Sequence, residues 1–116
     1  MRKAYFVVAI VLLLIGLAAA QGKQQQNASG RLLTGRVLDH DDSPLVSAVV
    51  YLTNTRTRAV KTYIVGKDGG YRFPALSQNL DYEVYAQYNG RKSDTKTLSQ
   101  FDSRPNANIN LKIDTK

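Results

Sequence analysis

The chain is arranged around Lys67-Asp68-Gly69-Gly70-Tyr71-Arg72-Phe73-Pro74-Ala75-Leu76. Asp68-Gly69 is a turn pair, because glycine accepts the positive φ that tight turns require. Beyond it, Tyr71 and Phe73 alternate with Arg72, and a period of two is the signature of a strand. An apolar run over residues 60–65 leads in, and another over residues 82–88 follows after a break. The pattern predicts a β-hairpin closed by Asp68-Gly69-Gly70, with Phe73 facing a core and Arg72 facing water. Pro74 has no amide donor, so its strand should lie at an edge or end there.

Working outward, residues 32–38 put Leu33, Gly35 and Val37 on one face and Thr34 and Arg36 on the other. Asp39-His40-Asp41-Asp42-Ser43-Pro44 is built of turn formers. Residues 48–54 alternate again, with Ala48, Val50 and Leu52 inward and Val49, Tyr51 and Thr53 outward. Residues 60–65 have apolar residues on both faces, which leaves the phase of that strand ambiguous. Residues 82–88 are the most regular: Tyr82, Val84, Ala86 and Tyr88 face one way, Glu83, Tyr85 and Gln87 the other. Asn89-Gly90 is a second hairpin signal. Residues 91–99 read as a polar edge strand, where charge discourages edge-to-edge pairing. After a loop with Pro105, residues 107–113 alternate Ala107, Ile109, Leu111 and Ile113 against Asn108, Asn110 and Lys112. Seven short strands at even spacing, with no helical period after residue 20, predict an all-β antiparallel sandwich.

The 116 residues allow one domain. Residues 1–20 look like an export signal. Arg2 and Lys3 form a basic start, residues 4–20 are apolar or glycine, and Ala18-Ala19-Ala20 suits a signal peptidase cutting before Gln21. A retained membrane anchor is the alternative, since this run lies at the short edge of a spanning helix. Residues 21–31 form a polar, Gln-rich leader that cannot bury a face. Within it Asn27-Ala28-Ser29 matches a glycosylation acceptor. The domain then covers residues 32–114. Loss of Arg2 and Lys3 lowers the net charge from +7 to +5. The remaining basic residues are scattered, so no nucleic-acid tract is visible. Cysteine is absent, which excludes disulfides, thiolate chemistry and a cysteine-linked lipid anchor. The domain must hold together by packing alone.

Leu33-Thr34-Gly35-Arg36-Val37-Leu38-Asp39 followed by Ser43-Pro44-Leu45-Val46-Ser47-Ala48-Val49-Val50 resembles the opening of carboxypeptidase regulatory-like domains. Lys67-Asp68-Gly69-Gly70-Tyr71-Arg72-Phe73, Leu76 and Tyr82-Glu83-Val84 are similar to the later signature of that family. The resemblance covers about residues 32–113. Two turns depart from it: Val65-Gly66 stands where the family often has Thr-Asp, and Asp81 replaces a usual glycine. The resemblance implies a seven-stranded transthyretin-like (prealbumin-like) sandwich, expected here as a Greek key after an N-terminal signal helix. It also implies an accessory module of the kind found beside peptidases, outer-membrane receptors or surface proteins. Some related domains are grouped with carbohydrate-binding folds.

Candidate chemistry is sparse. His40 lies among Asp39, Asp41 and Asp42, but the stretch lacks the glycine and distal glutamate of a calcium loop. A turn with aspartates capping backbone amides fits it better, and no metal or cofactor is expected. One histidine and no cysteine leave no nucleophile–base–orienter set, so no catalytic residue is assigned. The tail Lys112-Ile113-Asp114-Thr115-Lys116 is not the Tyr-Arg-Gly-Ser ending of transthyretin-like enzymes acting on purine-derived rings. Lys–Asn cross-links of pilin-like sandwiches need a lysine on the first strand, which here has only Arg31 and Arg36 around it. The tyrosines remain. Tyr71, Tyr82 and Tyr88 are in core phase, whereas Tyr51 and Tyr85 are in the opposite phase. Outward aromatics fill pleated surfaces, stack on sugars or anchor a protein. Tyr51 and Tyr85, flanked by Arg36, are therefore the candidate contact surface. The expected function is an exported, non-enzymatic module, periplasmic or extracellular, with a small carbohydrate-binding protein as the alternative. Its partner is an unknown protein or glycan, and it touches a membrane only through residues 1–20 if they are retained.

Overall fold

The computed structural model describes residues 30–116; the expected signal segment, and the expected leader up to residue 29, lie outside the described residues. Nine strand segments are present among them: β1 (Arg31–Leu38), β2 (Val49–Asn54), β3 (Val60–Ile64), β4 (Gly70–Leu76), β5 (Tyr82–Tyr88), β6 (Arg91–Lys92), β7 (Lys96–Leu98), β8 (Asn106–Asn108) and β9 (Leu111–Lys112). They form two sheets. One has β1 at its centre, with β4 on one side and β8 and then β9 on the other. The second runs β3-β2-β5, with β6 and then β7 completing the far side of β5. The inward residues of both sheets make one core, in which Leu33, Val37, Val50, Leu52, Val84, Ala86, Leu111 and Ile113 are each at most 1% exposed. The period-two assignments hold in β1, β2 and β5, and Phe73 is buried while Arg72 is exposed.

The Asp68-Gly69 turn does not close a hairpin. β3 pairs with β2, and β4 pairs with β1, in the opposite sheet. The cause lies in Val65, which is buried and whose amide donates to Ala48 O. That contact carries the chain inward. Gly69 N then closes a turn on Gly66 O, Asp68 Oδ1 accepts from Gly70 N, and Val37 N donates to Gly69 O. Gly69 has φ +80°, and a Cβ there would lie 2.7 Å from Pro44 Cβ. The turn forms as its residues require, but it serves a crossing between sheets. Asn89-Gly90 does close a hairpin: Tyr88 faces Arg91, and both turn residues have positive φ (50° and 77°), the type I′ pattern.

The sandwich is not wholly antiparallel, because β8 and β9 both run parallel to β1. The predicted strand over residues 107–113 is split where Ile109 meets Gly35. Ile109 N donates to Thr34 O, and Ile109 O accepts the Tyr71 hydroxyl at 2.6 Å. Asn110 Oδ1 then accepts from Arg36 N at 3.0 Å, standing in for a main-chain carbonyl. The predicted strand over residues 91–99 is split as well. Ser93 turns inward, 5% exposed, and its hydroxyl accepts from Ala86 N and donates to Asp94 O. Pro74 lies on β4, an edge strand, as its missing donor requires.

Candidate contact surface

Strand register decides which outward side chains meet. Across the second sheet, Thr62, Tyr51 and Tyr85 form one row. Ile64, Val49, Gln87 and Lys92 form the next, and Val60, Thr53, Glu83 and Thr97 the one beyond. Tyr51 and Tyr85 are direct cross-strand neighbours, with ring centroids 5.0 Å apart and planes 13° from parallel. Lys92 Nζ lies 4.4 Å from the Tyr85 centroid, reaching in from the strand beyond. Tyr51 and Lys92 thus cover opposite faces of the Tyr85 ring. The pair is too close for two rings lying side by side in one plane, so they stand on the sheet as a stack. Such stacking adds about 0.5–1.5 kcal/mol beyond area burial and fixes the rings' orientation. Around them, Ile64 is 71% and Val60 54% exposed. The result is a half-apolar sheet face with a rigid aromatic column at its centre.

Arg36 does not belong to this surface. It lies on β1, in the other sheet, where its Nε donates to Asp68 O at 3.1 Å. The alternation of β1 correctly turned it outward, but outward from the opposite side of the sandwich. Tyr71 and Tyr82 are buried and Tyr88 packs against the core. The acidic turn is a capped loop: Asp39 Oδ1 accepts from Asp41 N at 2.8 Å and Ser43 N at 2.9 Å. The bond from Ser43, above all, holds the Asp39 carboxyl below the usual range. Asp42 pairs with Lys112 at 2.8 Å. Among the described residues no three of His, Cys, Asp and Glu gather around a possible metal position.

One residue escaped the sequence reading. Arg31, placed there in the leader, opens β1 and is 2% exposed. Its guanidinium donates to Ser77 O from both Nε and Nη2, to Leu80 O at 2.7 Å, to Ser99 O at 2.7 Å and to Asp102 O at 3.4 Å. All five donors of the fork are engaged. The signal was available: period two carried back from Leu33 turns residue 31 inward. Arg31 forms the floor of a pocket of about 230 Å³ that Gln78, Asn79, Gln100 and Arg104 also line. The other charged wall is a closed pair, in which Arg104 bonds Asp102 at 2.6 and 2.9 Å and holds its carboxyl down to about 2. Arg104 and Asp102 thus satisfy each other, while the donors of Arg31 are taken up by main-chain carbonyls. Among the described residues, nothing covers the apolar surface of the tyrosine face.

A family model described as the carboxypeptidase regulatory-like domain matches residues 33–113. None of the curated proteins compared matches the chain. Among solved structures, the chain is similar to the major pilin subunit of Bacillus cereus, at 9% identity and a TM-score of 0.57, over 74% of this chain and 30% of the pilin. It is also similar to the dioxygenase domain of a dioxygenase–carbohydrate-binding fusion from Streptomyces sp. SirexAA-E, at 19% identity and a TM-score of 0.51, over 77% and 83% of the two chains. A third is catechol 1,2-dioxygenase from Acinetobacter sp. ADP1, at 13% identity and a TM-score of 0.52, over 74% of this chain and 53% of that one. At these identities the shared property is the sandwich fold.

Proposed function

The chain belongs to the carboxypeptidase regulatory-like domain family, and from that premise we propose that it is an exported, non-enzymatic module that binds another protein. Its contact surface is the outer face of the second sheet, centred on Tyr51 and Tyr85. One observation carries the reading: two half-buried tyrosines stand stacked in the middle of a sheet face with exposed Val60 and Ile64 beside them. Rigid aromatics ringed by apolar and polar neighbours are what protein interfaces select as anchors. The stack also weighs against the carbohydrate alternative. Sugar stacking needs an open ring face, and Tyr51 and Lys92 crowd the Tyr85 ring, which leaves only the far face of Tyr51 for a sugar. Export rests on residues 1–20, with residues 21–30 as the leader now that Arg31 belongs to β1. The domain proper then begins at Arg31.

The test is a pull-down and a glycan array with wild type and with the Tyr51→Ala, Tyr85→Ala double variant. The expected outcome is a protein partner that the double variant loses while it stays folded. A glycan signal lost in the same way supports the carbohydrate reading instead. Undiminished binding by a folded double variant moves the contact surface elsewhere. Separately, the intact mass of the protein recovered after export should begin at Gln21, and a mass retaining residues 1–20 supports the anchor.

A further inference from the structure

Each sheet has two edges, and three of the four edges are blunted. β4 carries Pro74 and Arg72. β8 and β9 are short and interrupted, and so are β6 and β7, which also carry Arg91, Lys92 and Lys96. Proline, breaks and charge are the usual protections against strand addition. β3 is different. Its register with β2 runs from Thr53↔Val60 to Val49↔Ile64 without a shift, all five residues are exposed, and its only charge is Lys61. Two bonds fix the phase of its main chain: Asn54 N to Ala59 O and Val65 N to Ala48 O, both 2.9 Å. Ala59, Lys61, Tyr63 and Val65 therefore direct their amides and carbonyls at β2. Val60, Thr62 and Ile64 direct theirs away from the sheet.

We propose that this edge pairs with β3 of a second copy of the chain, antiparallel about a two-fold axis through Thr62. The sequence Val60-Lys61-Thr62-Tyr63-Ile64 is self-complementary in that register. Val60 faces Ile64 of the second copy, Thr62 faces Thr62, and Lys61 faces Tyr63. The outward groups of Val60, Thr62 and Ile64 then close about six backbone hydrogen bonds across the junction. Apolar and Thr–Thr cross-strand pairs are favourable, and an ammonium beside a tyrosine ring is attractive. The register is also selected. Sliding the second copy by two residues one way sets Lys61 against Lys61, which like-charge repulsion opposes. Sliding it the other way leaves Val60 unpaired. Pairing of this kind continues the second sheet across the axis with both outer faces on one side. Thr62 lies in the same row as Tyr51 and Tyr85, so the two aromatic columns fall on one line. The pairing stands whether or not that face binds a partner.

The chain has no cysteine, so single-cysteine variants report cleanly. The full chain, recovered folded, should sediment at twice the monomer mass in the upper micromolar range. Thr62→Lys, at an exposed site, sets two ammonium groups opposite each other and should give the monomer. Thr62→Cys should form a disulfide-linked dimer under mild oxidation, because Cα atoms of such a pair lie about 5.5 Å apart. Thr97→Cys, exposed on the same face but distant from β3, is the control and should not. A wild type that remains monomeric overturns the proposal, as does a dimer that survives Thr62→Lys. Thr62→Cys cross-linking no better than Thr97→Cys overturns it too. So does a monomer whose β3 edge captures a different protein in a manner sensitive to Thr62→Lys.

Discussion

Arg72 and Phe73 are neighbours in sequence, yet one is in water and the other 4% exposed between Tyr63 and Tyr71. Phe73→Ala should cost roughly 3–5 kcal/mol in a urea melt, the usual loss for a buried phenylalanine. Arg72→Ala should stay within about 0.5 kcal/mol, and equal effects would mean the strand phase is wrong. Arg31 reverses the expectation for its type. It ties the main chain of 77–80 to that of 99–102, so Arg31→Ala leaves several carbonyls without partners. A loss of at least about 3 kcal/mol is expected, since bonds to a charged donor contribute about 1.5–3 each. Arg31→Lys should recover only part of it, because a point-like ammonium cannot reach carbonyls arranged around a planar fork. Full recovery by lysine, in the same melts, would show that charge matters there and geometry does not.

Among the elements, β1 is the one the others depend on, and Gly35 is its tightest point. A Cβ at residue 35 would lie 1.8 Å from Ile109 O and 2.7 Å from the Tyr71 ring. Gly35→Ala must therefore push β9 and its approach off β1. A destabilisation of more than about 3 kcal/mol is expected, beyond the range of ordinary surface changes. Loss of amide protection should concentrate at Ile109 and Ile113, whose amides donate to Thr34 O and Leu38 O. Uniform loss would argue against a local cause. Element by element, the alternation of Leu33, Val50, Leu52, Val84 and Ala86 was legible because period two is a local property. Partner choice was not. Asp68-Gly69 looks the same whether it closes a hairpin or a crossing, and only the burial of Val65 distinguishes the two. Ala107 and Leu111 announce a strand but not that it runs parallel to β1. The Tyr51–Tyr85 meeting needed strand order, and so did the separation of Arg36 from it.

At the scale of the molecule, one core holds two sheets without a covalent brace. Alkaline pH acts on that core through one buried phenol. Burial raises the Tyr71 phenol well above the ordinary value of 10.0, because the anion would have to form away from water. The folded pKa exceeds the unfolded one, so the contribution is complete below about pH 10. It falls as pH rises past that value, since the unfolded chain then loses its proton first. Urea midpoints should be level from about pH 7 to 9 and drop above about pH 10. In Tyr71→Phe the drop should be shallower, on top of a lower plateau from the lost bond to Ile109 O. An unchanged alkaline slope in that variant would assign the effect to other groups.

The position of β1 also sets an order in time. It is the first strand of the domain to leave the ribosome, and its neighbours on one side, β8 and β9, are the last. Until residues near Ile113 exist, Leu33 and Val37 have no complete cover. Contacts between such distant segments form slowly, because long loops must close before any contact is gained. The second sheet meets a gentler requirement: Asn89-Gly90 joins β5 to β6 within a few residues. Assembly should therefore begin around β5 and finish at the chain's two ends. The first sheet should therefore close last, once β8 and β9 have been made.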